Sequence, residues 1–211
     1  MKVTSLLTRT FRQVTMLERR AMMQQPISHL ADLRLGYHFR GKIKEAAEGG
    51  GKVLQVRNVS SESGVTSDSL TQVAIPNAEK HAVKQGEVVF LARGRNRFAF
   101  VFDVTDPLPI VPASYFIILT PKQEIVDSGY LAWAINQPVF QSKIESRSTG
   151  TSIPQISKTD LQELTISLPP LKTQLKIAAL DGLMQQEQTL TRQINLHRTH
   201  LLRAASRGET A

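Results

Sequence analysis

Three arginines and one asparagine stand within five residues, between two short apolar segments. The run is Arg93-Gly94-Arg95-Asn96-Arg97, a composition typical of a turn. A guanidinium group can contact guanine through two hydrogen bonds, and an asparagine amide can do the same with adenine. The same groups also bind phosphate, which positions a protein on DNA without reading its sequence. Arg93, Arg95, Asn96 and Arg97 are therefore predicted to contact DNA, and both kinds of contact remain open.

Two further groups of residues carry similar chemistry elsewhere in the chain. An ordinary solvated surface would have the same composition, so each group is a candidate DNA contact with that alternative beside it. Counted after residues 93–97, the second group contains Arg40, Lys42 and Lys44, with Arg57 as a candidate neighbour, and the third contains Lys143, Arg147, Thr149 and Thr151.

The charge of the whole chain favours a polyanionic partner. Lysine and arginine number 26 against 18 aspartates and glutamates, which gives a formal net charge of +8. Nucleic acid is the commonest partner for such a surplus, although a basic surface also serves solubility. The chain has no cysteine, which excludes disulfides and thiolate metal sites and fits a reducing cytoplasm, the expected location. No apolar run approaches the roughly 20 residues of a membrane span, and we expect no secretory signal.

The sequence shows no constellation of residues typical of an enzyme. It contains neither a phosphate-binding GxxxxGK[ST] loop nor an HExxH zinc motif. His197 and His200 are three residues apart on a predicted helix, but no third metal ligand is near them. Asp103 and Asp106 precede prolines, which favours a turn over a nuclease metal site. We therefore predict a non-catalytic protein with no metal and no bound cofactor of its own.

The first 170 residues are predicted to form a helix followed by a mixed α/β domain. Residues 1–25 have apolar residues at three- to five-residue steps with arginines between them, and Pro26 ends this basic helix. A second helix is predicted from Ser128 to about Ser146, kinked or divided at Pro138. Short segments rich in β-branched and aromatic residues predict a mainly antiparallel sheet. These segments are Val53–Val59, Gln72–Ile75, Val88–Ala92, Phe98–Val104 and Tyr115–Leu119.

A long helix is predicted over residues 171–205, after Pro169 and Pro170. About 35 residues would extend roughly 50 Å, too far for the helix to lie wholly on one small domain. One stripe of this helix has alternating steps of three and four residues, which is typical of a coiled-coil seam. We therefore predict that the helix pairs with another helix. The seam contains Leu180, Leu183, Glu187, Leu190, Ile194, His197 and Leu201.

Residues 148–179 combine a glycine turn, an isoleucine–serine step into a short helix, a double proline and the opening of a long helix. In this order they resemble the end of a target-recognition domain of a type I restriction–modification DNA specificity subunit. Thr173 stands where the family usually has glutamate, and weaker similarities lie at residues 30–36, 53–59, 85–94 and 129–133. The matching residues are Gly150-Thr151, Ile156-Ser157, Asp160-Leu161, Leu164, Ile166, Leu168-Pro169-Pro170-Leu171, Gln174 and Ile177-Ala178.

The resemblance implies a fold, a role and a set of partners. The fold would be α+β, with a mixed, mainly antiparallel recognition domain (27–170) between the basic helix (1–26) and a long coiled-coil-type helix (171–205), followed by a tail (206–211). Specificity subunits usually contain two such domains, so this chain resembles a half-subunit that pairs with a second copy and reads a bipartite DNA target. Its other partners would be the methyltransferase subunit, which binds S-adenosylmethionine, and a restriction subunit, as in phage defence.

Two alternatives remain beside this interpretation. A free-standing DNA-binding or decoy protein could keep the recognition fold without a catalytic partner. A small catalytic nuclease is the alternative from another class, and the missing acid cluster argues against it. Copurification with a methyltransferase would separate a subunit from a free-standing protein, and metal-dependent cleavage by the purified chain would indicate a nuclease.

Overall fold

The structure, a computed structural model, describes residues 23–41, 43–46, 48, 50–62, 64–65, 70–150 and 152–206. In chain order its elements are β1 (Met23–Pro26), α1 (Ile27–Leu30), β2 (Ala31–Leu35), β3 (Gly51–Leu54), a 3₁₀ helix (Val56–Asn58), β4 (Val59–Ser60), β5 (Gly64–Val65), β6 (Thr71–Val73), α2 (Ala78–His81), β7 (Val88–Leu91), β8 (Ala99–Val101), β9 (Ile110–Pro112), β10 (Phe116–Pro121), α3 (Ser128–Asn136), α4 (Pro138–Arg147), α5 (Lys158–Glu163), β11 (Thr165–Leu168) and α6 (Leu171–Ser206).

The centre of the domain is an antiparallel sheet in the order β2-β10-β7-β8. Strand β7 is apolar at every position because both faces of the sheet are covered. Val88 and Phe90 pack on the face that carries the helices, whereas Val89 and Leu91 pack on the opposite face. Alternate residues of a strand point to opposite faces, so a continuous apolar run is what a doubly covered strand requires.

A second sheet, in the order β6-β3-β9, lies beside the central one. Strands β3 and β6 are antiparallel, whereas β3 and β9 are parallel. Strands β4 and β5 form a separate antiparallel hairpin, and β1 pairs antiparallel with β11. The predicted fold class, a mixed and mainly antiparallel domain followed by a long helix, is therefore confirmed.

The helix predicted from Ser128 to Ser146 is divided at Pro138, as expected. Helix α3 begins where the Asp127 side chain accepts a hydrogen bond from the Tyr130 N–H at 2.9 Å. It ends before Gln137, whose extended backbone directs the chain into α4 with Pro138 in its first turn. This change of direction leaves Val139 73% exposed, although helical spacing placed it on the same face as the buried Leu131.

Other elements differ from the expected ones. The N-terminal helix was predicted to reach residue 25, but residues 23–25 belong to β1, whose register pairs Gln25 with Ile166; residues 1–22 lie outside the described residues. The segment Val53–Val59 was expected to be one strand and is interrupted by the 3₁₀ helix, in which the Gln55 N–H donates to Asn58 Oδ1 at 2.8 Å. A side chain therefore takes the hydrogen bond that a continuous strand would give to its neighbour.

The long helix predicted over residues 171–205 is confirmed as α6, and Gln174 fixes its start to the domain. Gln174 is 1% exposed. Its Oε1 accepts from the Asp127 N–H at 2.9 Å, and its Nε2 donates to Pro169 O at 2.8 Å and Ile125 O at 3.1 Å. One turn later α6 touches α3 so closely that a Cβ on Gly129 would lie 2.9 Å from the Ala178 Cβ. These contacts set the direction in which α6 leaves the domain.

Candidate nucleic-acid interface

The arginine turn, residues 93–97, connects β7 to β8 at one end of the central sheet. Gly94 has a φ of 103°, a conformation that favours glycine, and its N–H donates to Pro154 O at 2.9 Å. Arg93, Arg95 and Asn96 are exposed. The side chains of Arg95 and Asn96 make no hydrogen bond or ion pair with the described residues. Three of the four predicted DNA-contacting side chains of this turn are therefore open to solvent.

Arg97 points the other way and holds the turn to the domain. Its side chain is 2% exposed and donates to the Glu145 carboxylate and to Ser148 Oγ. Both partners belong to the end of α4 and the residue after it. If Arg97 moved away from Glu145, its buried guanidinium group would lose its charged partner, which is energetically unfavourable. We therefore correct the prediction for Arg97, which is a structural residue in this conformation.

The structure adds Tyr115, which the sequence analysis assigned to a strand. It lies instead in the turn before β10, where the Phe116 N–H donates to Ala113 O at 3.1 Å. Its ring is exposed, and the guanidinium carbon of Arg93 lies 5.3 Å from the ring centroid. The signal in the sequence was the pair of small residues Ala113-Ser114 after Pro112, which separates Tyr115 from the preceding apolar strand.

The structure brings the third group of candidates next to the arginine turn. Gln155 forms backbone bridges with both Arg93 and Thr149, so the two loops lie side by side. Two of the cations in this group are already engaged. Arg147 is in an ion pair with Glu163 at 2.7 Å, and Lys143 Nζ donates to Thr165 O at 2.8 Å. Thr149 is exposed, and Thr151 lies outside the described residues.

The second group of candidates borders strand β6. Arg40 and Lys44 are exposed, and Lys42 lies outside the described residues. The loop that carries them contacts β6 where the Ala46 N–H donates to Gln72 O at 3.0 Å, next to the Thr71 hydroxyl that accepts from Arg57 Nη2 at 2.9 Å. Arg57 is therefore a neighbour of this loop across β6, as expected. DNA contact by these residues stays a prediction.

The turn that carries Tyr115 connects these surfaces. Ala113 forms a parallel bridge with Tyr37, which precedes the Arg40 loop, and its N–H donates to Leu54 O at 2.9 Å, just before the 3₁₀ helix. On the other side the Ala92 N–H donates to Tyr115 O at 3.0 Å. The arginine turn, Tyr115 and the loops on either side of β3 are thus linked through backbone hydrogen bonds and bridges.

The seam of α6 is exposed along its length. Its aliphatic side chains range from 50% exposed at Ile194 to 70% at Leu201, and Glu187 and His197 are also exposed. The domain is met by a different face, since Arg192 pairs with Glu62 beside the β4–β5 hairpin. Successive helical residues are about 100° apart, so Ile194 is about 200° from Arg192. The seam therefore points away from its own domain.

Shifted pKa values lie outside the basic surface. Burial raises the pKa of Tyr130 to about 12, and its hydroxyl donates to Ser167 O at 2.5 Å. Burial also raises the pKa of Asp181 on α6, against a hydrogen bond from Gln185 that lowers it. Within the described ranges no three histidines and carboxylates are grouped so that they could hold a metal ion. A search of those ranges also finds no helix long and apolar enough to cross a membrane.

A family model for the type I restriction modification DNA specificity domain matches residues 27–196. The chain belongs to this family. The specificity subunit of the type I restriction enzyme HindI from Haemophilus influenzae is 26% identical over 125 residues, which is 57% of this chain and 27% of that protein. The family resemblance inferred from residues 148–179 is therefore confirmed.

Solved structures show the same fold. The type I S subunit from M. genitalium superimposes with a TM-score of 0.57 at 17% identity, over 84% of this chain and 42% of the other. The HsdS subunit from Thermoanaerobacter tengcongensis superimposes with a TM-score of 0.58 at 20% identity, over 99% of this chain and 57% of the other. A third structure, from work on complex assembly and conformational transition of the type I system, superimposes with a TM-score of 0.61 at 19% identity. The match covers 96% of this chain and 54% of the other. The chain spans about half the length of each of these three solved chains and about a quarter of the HindI specificity subunit.

The family assignment bears on the role of the arginine turn. A type I specificity domain supports recognition of a DNA sequence, and recognition requires side chains that reach base edges from a fixed backbone. The arginine turn meets both conditions, because Arg95 and Asn96 are exposed while Arg97 and Gly94 secure the loop. Its roles in binding bases or phosphates stay predictions.

Proposed function

We propose that this chain is the non-catalytic specificity subunit of a type I methyltransferase and directs it to a bipartite DNA target. The observation that carries the proposal is the arginine turn, whose exposed Arg93, Arg95 and Asn96 stand on a fixed loop of a specificity domain. The double-stranded DNA would be read in its major groove, where arginine and asparagine distinguish base pairs. The complex would work in the cytoplasm, where the DNA is.

The chemistry would belong to partners of this chain. S-adenosylmethionine is the methyl donor expected on the methyltransferase subunit, and a restriction subunit is a further candidate partner. Specificity subunits are in general non-catalytic. The nuclease alternative gains no support from Asp106, which accepts a hydrogen bond from Lys52 Nζ at 2.6 Å and, within its own turn, one from the Leu108 N–H at 3.0 Å.

Two copies would restore the pair of domains that reads a bipartite target. The support for pairing is the exposed seam of α6, which lies on the opposite face from Arg192 and its contact with the domain. In an antiparallel pair that crosses near position 192, Glu187 of one copy would approach His197 of the other. That register would give each polar seam residue a partner. A two-fold axis would then relate the domains, so the target would be a symmetric, interrupted palindrome.

Methylation mapping of a bacterial genome tests the proposal. Expression of this chain with its methyltransferase subunit should produce adenine methylation at one interrupted palindrome, and the methyltransferase subunit alone should produce none. The purified chain should neither methylate nor cut DNA, with or without S-adenosylmethionine and Mg²⁺. Turnover by the chain alone would refute the non-catalytic role. Methylation of an asymmetric site, with no second specificity chain present, would refute the symmetric dimer.

A further inference from the structure

Tyr115 is an exposed aromatic side chain on a backbone that cannot easily move. Tyr115 is 39% exposed. The turn below it is held by the hydrogen bonds to Ala113 and Ala92 described above, and by the Gly36 N–H, which donates to Phe116 O at 2.9 Å. A Cβ on Gly36 would lie 2.0 Å from Ala113 O, so β2 packs directly against this turn. The backbone is thus fixed and presents the ring as a platform at the protein surface.

Arg93 is the cation that uses this platform. Its guanidinium carbon lies 5.3 Å from the Tyr115 ring centroid, and its backbone is held by the bridge to Gln155. Arg97 and Arg147 are paired with Glu145 and Glu163, whereas Arg93 has no ion-pair partner among the described residues. A planar guanidinium that lies against an aromatic ring keeps the hydrogen-bond donors at its edge available.

We propose that Tyr115 is a positioning residue that holds Arg93 in the orientation in which it reads one guanine of the DNA target. The inference rests on the proposed function and names a residue pair that determines specificity within it. Free arginine side chains have many rotamers, and a ring that restrains them lowers the entropy lost on binding. Arg95 lies two residues away and has no such platform, which makes it a matched comparison within the same turn.

The experiment is a selection from a library of randomised double-stranded DNA by the purified full chain, followed by sequencing. The variants are Arg93→Ala, Arg95→Ala, Tyr115→Ala and Tyr115→Phe, with the double variants that combine Tyr115→Ala with each arginine change. Arg93→Ala should lower the preference for guanine at one position by roughly 5- to 150-fold. Tyr115→Ala should lower the preference at that same position by about 2- to 5-fold, the range expected from an exposed cation–π contact.

The double variants separate positioning from a merely structural role. Tyr115→Ala should add nothing to Arg93→Ala, whereas its effect should add fully to that of Arg95→Ala. Tyr115→Phe keeps the ring and should keep the wild-type preference. The inference is wrong if Arg93→Ala leaves the preference unchanged at every position, if the effects of Tyr115→Ala and Arg93→Ala add, or if Tyr115→Phe is as harmful as Tyr115→Ala.

Failure of the proposed function has a different signature. If the wild-type chain enriches no sequence from the library, sequence recognition by this chain is refuted and the inference falls with it. If the wild-type chain enriches a defined sequence and the Arg93 and Tyr115 variants enrich the same one with equal strength, only the inference is refuted. Thermal unfolding of each variant accompanies the selection, and an unchanged preference in the exposed Arg93→Ala variant refutes the inference even where Tyr115→Ala unfolds.

Discussion

Replacement of Gln174 by methionine should loosen the long helix from the recognition domain. Methionine has a similar length but can neither accept from the Asp127 N–H nor donate to Ile125 O and Pro169 O. All three hydrogen bonds involve a residue that is 1% exposed, so water cannot readily replace them. At about 1 kcal/mol each, their loss should lower the free energy of unfolding by about 3 kcal/mol.

Thermal and urea unfolding, followed by circular dichroism, would measure this effect. A loss of 3 kcal/mol corresponds to a fall in Tm of about 6–12 °C for a chain of this size. Gln186→Met is the matched control, because Gln186 lies on the same helix and is exposed. Its replacement should change the stability by less than about 0.5 kcal/mol. Equal unfolding transitions for the two variants would show that Gln174 does not anchor α6.

Two further predictions concern the seam and the partly buried ion pair between Lys52 and Asp106. The double variant Leu190→Asp and Ile194→Asp should be a monomer in light scattering, where the wild-type chain should be a dimer. The control Leu202→Asp changes an equally exposed leucine that lies about 100° around the helix from Leu201, and it should remain a dimer. A monomeric wild-type chain would contradict the pairing. Although burial alone would raise it, the pKa of the Asp106 carboxyl is lowered by hydrogen bonds from Lys52 and the Leu108 N–H. A lowered pKa means that the carboxylate stabilises the fold above the ordinary pKa of 3.8 and loses this contribution as the pH falls. Asp106→Asn should therefore lower the stability at neutral pH by no more than about 1 kcal/mol, and this difference should vanish below pH 3.8. Thermal unfolding as a function of pH would measure it, and an equal difference at every pH would show that the charge of Asp106 is not the cause.

The sequence predicted the elements that carry strong local signals. Pro138 marked the division between α3 and α4 because a proline in a helix interior removes a hydrogen bond. The step Ile156-Ser157 was expected to lead into a short helix, and Ser157 Oγ accepts from the Asp160 N–H at 3.0 Å at the start of α5. The apolar run at Val88–Leu91 was long enough to identify a buried strand. In each case the residue that decides the structure lies within the element that it controls.

Elements that depend on distant partners were not predicted. Strand β1 contains Met23, Gln24 and Gln25, whose composition does not predict a strand. It forms because it pairs with β11, which lies about 140 residues further along the chain. Strand β9 has only Ile110–Pro112 and is defined by its parallel partner β3. Local composition cannot reveal a partner that is distant in the sequence.

The candidate site was predicted in composition but not in orientation. The three arginines of the arginine turn look alike as a sequence, yet Arg95 is exposed while Arg97 is buried against Glu145. What separates them is the position of α4, which only the folded chain provides. Tyr115 was missed for the related reason that its neighbour Arg93 comes from another strand end.

The pairing of β1 with β11 has a consequence for how such proteins can change. Met23 lies opposite Leu168, so the chain enters and leaves the domain at a single point. Everything between these two residues can be exchanged for another sequence of the same fold without displacing what lies outside, provided that the new sequence keeps the contacts of Asp127 and Gly129 with α6. A recombination event with one crossover on each side of the domain would therefore transfer a complete recognition surface in one step, with the geometry of α6 preserved. New specificities could then arise by shuffling of whole modules, faster than by the accumulation of point mutations in the arginine turn.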